Sequence, residues 1–183
     1  GGCTFDYPQV LEDTQRVCNV LTNDWDFHGE QSNLRIIQVS QGAFGSVAIG
    51  GTGTNVTYTP GTNFFGSDSF DYTVANTAGG NDWTGSATVT MTVLPVNDPP
   101  SFTKGADQNV DEDCGLVSVT NWATLISVGP ANESTQTLAF ATTNTSTNLF
   151  LVQPAVSPAG TLTFTPAADL NGTATVRVWC VDS

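Results

Sequence analysis

V-T-Y-T-P-G-T-N-F-F-G at residues 56–66 returns as L-T-F-T-P-A-A-D-L-N-G at residues 162–172. Tyr58 matches Phe164, Pro60 matches Pro166, Phe64 matches Leu170 and Gly66 matches Gly172. A second echo lies upstream of each copy, Leu11-Glu12-Asp13 against Asp111-Glu112-Asp113. Both pairs recur at roughly one hundred residues, the usual size of one β-sandwich module. The chain therefore reads as two related all-β modules in series rather than one large domain.

Composition agrees with that reading. The 183 residues are 39% hydrophobic, enough for ordinary cores, and only 11% charged. Ser, Thr, Asn and Gly fill the surface, which favours strands and turns over helices. Seventeen acids against four Lys and Arg give a net charge of −13. A surface this acidic cannot neutralise phosphates, so nucleic acid is excluded as a partner. The acids either keep the chain soluble by self-repulsion or gather around a hard cation such as Ca²⁺. No run nears the ~18 consecutive apolar residues of a membrane helix, so membrane insertion is not expected. The abrupt start at Gly1-Gly2-Cys3 reads as a processed or truncated N-terminus.

Period-two alternation marks the strands. It runs through residues 33–39, 46–49, 55–59, 69–74 and 86–93, with a Gly-rich turn at 50–53. Phe70, Tyr72 and Val74 share one face and are expected to point inward. Residues 121–128 allow at most a short helical turn. The boundary falls in Leu94-Pro95-Val96-Asn97-Asp98-Pro99-Pro100, a stiff segment that cannot donate ladder hydrogen bonds at its prolines. This sets one module at 1–96 and a second at 97–183. The first continues about twenty residues past Asp71-Tyr72-Thr73-Val74 and makes one more strand. The second stops at Cys180-Val181-Asp182-Ser183, so its final strand is absent from this sequence. The expectation is a piece of a longer protein, or a strand supplied by a neighbouring subunit.

The run Gly45–Val93 followed by Val96-Asn97-Asp98-Pro99-Pro100 resembles the cadherin-like, immunoglobulin-like repeats of large bacterial surface proteins and adhesins. Similar modules occur in eukaryotic extracellular filaments such as mastigonemes. The resemblance implies two tandem β-sandwiches, the second incomplete, and calcium at module junctions. It assigns calcium ligation to Glu12, Asp68, Asn97 and Asp98. Asp24 and Asp26, in the D-x-D-x-x-G of residues 24–29, have the alternating carboxylates and turn glycine of an oxygen-only Ca²⁺ loop. The second module has no such pair in its corresponding loop, where Glu133 is the one replacement. The alternative is that these acids cap turns and solvate loops. His28 reads as a solvated loop histidine.

Four cysteines suggest an oxidising compartment. Of three possible pairings, Cys3–Cys18 with Cys114–Cys180 keeps each bridge inside one module; buried free thiols are the alternative. Sequons stand at Asn55, Asn132, Asn144 and Asn171, with Asn132 and Asn144 in polar, loop-like stretches. Trp179 alternates out of phase with Val178 and Cys180, which points it outward as a contact for a partner. No nucleophile elbow or phosphate loop is present. The expected role is non-catalytic: an extracellular or cell-surface structural module of a rod or filament, touching neighbouring modules or identical subunits. A cell-surface adhesion or carbohydrate-binding module is the alternative, with glycans as partners. A third reading is an accessory segment of a secreted hydrolase.

Overall fold

The computed structural model describes residues 8–25, 32–76 and 83–183. The chain divides into two compact units, Gly1–Val96 and Asn97–Ser183. Among the described residues nearly all the regular structure of both is strand.

Unit 1 contains β1 (Gln9–Leu11), β2 (Arg16–Cys18), β3 (Leu34–Val39), β4 (Gly45–Ile49), β5 (Val56–Pro60), β6 (Gly66–Asn76) and β7 (Thr84–Leu94). They form two sheets, ordered β1-β7-β6-β3 and β2-β5-β4. All neighbours are antiparallel except β1 and β7, which run parallel. Alternation decides which side chains fill the space between the sheets. Phe70, Tyr72 and Val74 of β6 point inward with Val89, Met91 and Val93 of β7, against Val56 and Tyr58 of β5. Burying each such side chain stabilises the fold by about 1.5–3 kcal/mol.

Unit 2 contains β8 (Ser101–Lys104), β9 (Val117–Val119), β10 (Ala123–Ser127), β11 (Ala139–Asn144), β12 (Phe150–Val156), β13 (Leu162–Pro166) and β14 (Val176–Val181). Its sheets are β12-β13-β9, β11-β14 and β10-β8. The core gathers Trp122, Ala123, Val156, Leu162 and Phe164. Short 3₁₀ turns occupy Ala131–Glu133 and Thr147–Leu149. One expectation is overturned here. The segment from residue 121 turns at Asn121, whose φ is +55°, and continues as strand β10 rather than a helical turn. Pairing with β8 overrides the weak local preference.

The sequence echo is a structural one. Asp13 and Asp113 both have positive φ, 57° and 62°. Each carboxylate accepts a backbone N–H from the copied turn, Asn63 in unit 1 (3.0 Å) and Asp169 in unit 2 (3.3 Å). Asn63 and Asp169 both have φ of 54°. The pairs β2–β5 and β9–β13 occupy matching places in the two units.

Candidate cation sites

Asp68 is the most buried acid of β6, and its carboxylate is already full. Oδ1 accepts the Ala43 and Ser69 N–H groups at 2.9 Å each. Oδ2 accepts the Phe44 N–H at 3.2 Å and the Tyr58 hydroxyl at 2.8 Å. Four donors occupy the lone pairs a metal would use. Asp68 therefore fastens the 42–44 loop to the sandwich and does not serve as a calcium ligand. A Cβ on Gly42 would collide with it, so glycine is required there. Burial, reinforced by the Asp68 hydrogen bond and charge, pushes the Tyr58 hydroxyl well above the usual phenol range.

Glu12 differs. It is 1% exposed. Oε1 accepts the Val96 N–H at 2.6 Å, while Oε2 is buried and has no hydrogen-bond partner. Its backbone N–H donates to the Leu94 carbonyl, so the end of β7 covers it. Asp24 takes the Tyr72 hydroxyl on Oδ2 at 2.7 Å, and the neighbouring Asn23 Oδ1 is buried and unpartnered. Asp26 and His28 lie outside the described residues.

In unit 2 the structure brings Asn97, Asp98 and Glu133 together. Glu133 is 6% exposed, and its Oε1 accepts the Asp98 N–H at 2.8 Å. Gln136 and Asp182, which sequence reasoning missed, complete the group. Gln136 Nε2 donates to Asn97 Oδ1 at 2.7 Å, and Asn97 Nδ2 reaches both Asp182 oxygens at 3.3 Å. Three buried oxygens here lack a partner: Asp98 Oδ2, Glu133 Oε2 and Gln136 Oε1. Gly129, at φ +144°, lies against Glu133 Oε2, and a Cβ there would strike it. The only sequence clue to Gln136 was its place one turn after Glu133. Two carboxylates and an amide oxygen are chemically the hard ligands Ca²⁺ takes, with backbone carbonyls or water left to complete six to eight positions. Among the described residues no three His, Cys, Asp or Glu side chains converge on one point, so the set is a mixed one.

The Cys114–Cys180 bridge is not formed; both are free thiols. Cys114 follows Asp113, whose carboxylate accepts the Asp169 N–H in the connection between β13 and β14. Cys180 sits four residues along β14, opposite Phe140. Cys114 is exposed, whereas Cys180 is half-buried on the inward side of β14. Burial raises the Cys180 thiol pKa. Cys18 is buried, with its Sγ 3.9 Å from Met91 Sδ, and Cys3 lies outside the described residues.

Among the sequons, Asn171 is exposed, while Asn55, Asn132 and Asn144 are half-buried. The Asn144 amide is engaged by Gln153 Oε1 and by the Ser146 N–H. Trp179 is 38% exposed on the outer face of β14, opposite Ala141. Trp25 and Trp83 are also exposed, whereas Trp122 is buried and donates its indole N–H to the Ala106 carbonyl at 2.9 Å.

The bacterial Ig domain family matches residues 4–92, which is nearly all of unit 1. No curated protein matches the chain. A crystal structure of the human desmocollin-1 ectodomain aligns with 99% of this chain at 9% identity and a TM-score of 0.37; the chain spans 35% of that structure's length. No helix among the described residues is long and apolar enough to cross a membrane.

Proposed function

We propose that this chain, whose first unit carries the fold of the bacterial Ig domain family, is a non-catalytic extracellular structural module, part of a surface rod or filament. Its contacts are with neighbouring modules or identical subunits. Calcium rigidifies it. The observation that carries the calcium reading is the trio of buried, unpartnered oxygens on Asp98, Glu133 and Gln136. A buried acceptor left unsatisfied costs about 1–3 kcal/mol, more when charged. A chain with four Lys and Arg has few cations of its own to offer. A hard cation relieves that cost, with Asn97 and Asp182 orienting the group. Glu12, with its own unpartnered Oε2, supports a second such point in unit 1.

The test is thermal unfolding of EDTA-stripped chain with and without Ca²⁺. Binding at a hundredfold excess over Kd stabilises by ~2.7 kcal/mol, which lifts the melting temperature by several degrees. Glu133→Gln is expected to remove the part of the rise that belongs to unit 2. Equal melting with and without Ca²⁺, and no metal by elemental analysis, rejects the calcium reading.

A second reading has its own observation. Trp179, Trp25 and Trp83 present exposed aromatic surface, which stacks well on sugar rings. Saturable binding on a glycan array that Trp179→Ala abolishes would favour a carbohydrate-binding adhesion module over a purely structural one. In a secreting eukaryotic host Asn171 is the favoured glycan acceptor, because its side chain is the exposed one.

A further inference from the structure

An amide side chain carries an oxygen on one arm and an NH₂ on the other, and only the oxygen can ligate a cation. Gln136 offers its oxygen to the buried group of unit 2. Its Oε1 is buried and unpartnered, as are Asp98 Oδ2 and Glu133 Oε2. Its Nε2 donates to Asn97 Oδ1 at 2.7 Å. These two facts are one, because the arm that faces Asn97 decides which arm is left for the interior.

Asn97 has the same two-way choice, and Asp182 removes it. An ionised carboxylate only accepts hydrogen bonds. Asn97 therefore turns its NH₂ to Asp182, with Nδ2 3.3 Å from each carboxylate oxygen. Its Oδ1 is left for Gln136, and an oxygen there attracts the N–H arm. Gln136 keeps Oε1 for the interior. The reverse setting would place NH₂ among the carboxylates of Asp98 and Glu133 and close the group to a cation. It would also set two oxygens against each other at Asn97, or at Asp182 if Asn97 turned as well.

We infer that Asp182 is a positioning residue for the cation: acting through Asn97, it holds Gln136 with its oxygen inward, as the third side-chain ligand beside Asp98 and Glu133. This inference rests on the calcium reading. A hydrogen bond from an amide to a carboxylate is among the stronger ones, so the inward NH₂ would compete well with an ion if nothing opposed it. Outer partners that orient metal ligands typically matter about 10–100-fold in affinity. Asp182 also adds a negative charge, which attracts a cation whichever way the amides face. The two roles separate when Gln136 is replaced by glutamate, because a carboxylate presents an oxygen on either arm and needs no orienting.

The test is a double-mutant cycle on the full 183-residue chain, read by calorimetric titration with Ca²⁺. The signal is the binding event that Glu133→Gln removes. Asp182→Ala and Gln136→Leu are each expected to weaken it about tenfold or more. In a Gln136→Glu chain, Asp182→Ala should cost only the few-fold that belongs to its charge. Salt separates the roles a second time without that background. At ~1 M salt, where the Debye length is ~3 Å, a charge effect is screened, but the Asp182→Ala loss should persist. Equal losses in the two backgrounds overturn the inference, and so does a loss that vanishes in high salt. Native affinity in Asp182→Ala or Gln136→Leu also overturns it, while leaving the calcium reading intact. A native chain that takes up no Ca²⁺ rejects the calcium reading and this inference together.

Discussion

Tyr58 and Asp68 make a matched pair whose copy in unit 2 is Phe164 and Ala174. Where the acid is present the ring carries a hydroxyl to meet it; where the acid is absent the ring is bare. Tyr58→Phe is expected to cost about 1–2 kcal/mol by urea unfolding at neutral pH, because Asp68 Oδ2 keeps one of its two donors. Asp68→Ala strands four donors and is expected to cost about 3 kcal/mol or more. The pH dependence has a definite sign. The folded chain holds the Tyr58 proton above the ordinary phenol pKa of about 10, while the unfolded chain releases it there. The folded state then binds more protons, so stability is intact below pH ~10 and falls as pH rises beyond it. Tyr58→Phe should remove that part of the alkaline loss, read from unfolding curves at pH 9 and above. Cysteine reactivity offers another check at this scale. Iodoacetamide is expected to alkylate Cys114 quickly in the folded chain and Cys180 slowly, since Cys180 is partly buried with a raised thiol pKa. Equal rates, or two protected thiols, would contradict the structure. The sequence named Asp68 as an acid near a strand corner; it could not show the four donors, because they come from residues 10 to 25 positions away and one immediate neighbour. The same holds for Gln136 and Asp182, which join Asn97 only through folding.

At the scale of elements, the strands of unit 1 were legible where alternation was clean. Residues 69–74 and 86–93 fall inside β6 and β7, and Phe70, Tyr72 and Val74 do point inward. Residues 121–128 were illegible because strand β10 has irregular backbone, with positive φ at Asn121 and Leu125 and a register shift against β8. A bulged strand loses the period-two signature that identifies it. The bridge Cys114–Cys180 is not formed: inward phase was read correctly at Cys180, but Cys114 is exposed and does not share that interior. Gly160 offers a mutational check on the β12–β13 connection. Its φ is +81° and a Cβ there would meet the Ala123 carbonyl, so Gly160→Ala is expected to destabilise unit 2 by more than ~1 kcal/mol, the cost of strain plus displacement. Gly51, where nothing stands within 4 Å, should accept alanine with little change.

Across the whole molecule, one sandwich plan is used twice, and among the described residues β14 pairs with β11 alone where β6 pairs with both β3 and β7. The fully buried side chains of unit 1 include Tyr58, Tyr72, Phe70, Leu34 and Met91; the core of unit 2 has none of that class. Unfolding followed by calorimetry is therefore expected to show two transitions, with unit 2 melting first. Amide hydrogen exchange on the full chain tests that pairing most directly. Amides of β6 from Tyr72 onward should be protected, because there β6 has a strand on each side. Along β14, alternate amides should be protected by β11 and the intervening ones should exchange rapidly, as expected for an edge with no partner. Uniform slow exchange along every residue of β14 would contradict this, since it would require a strand on both flanks.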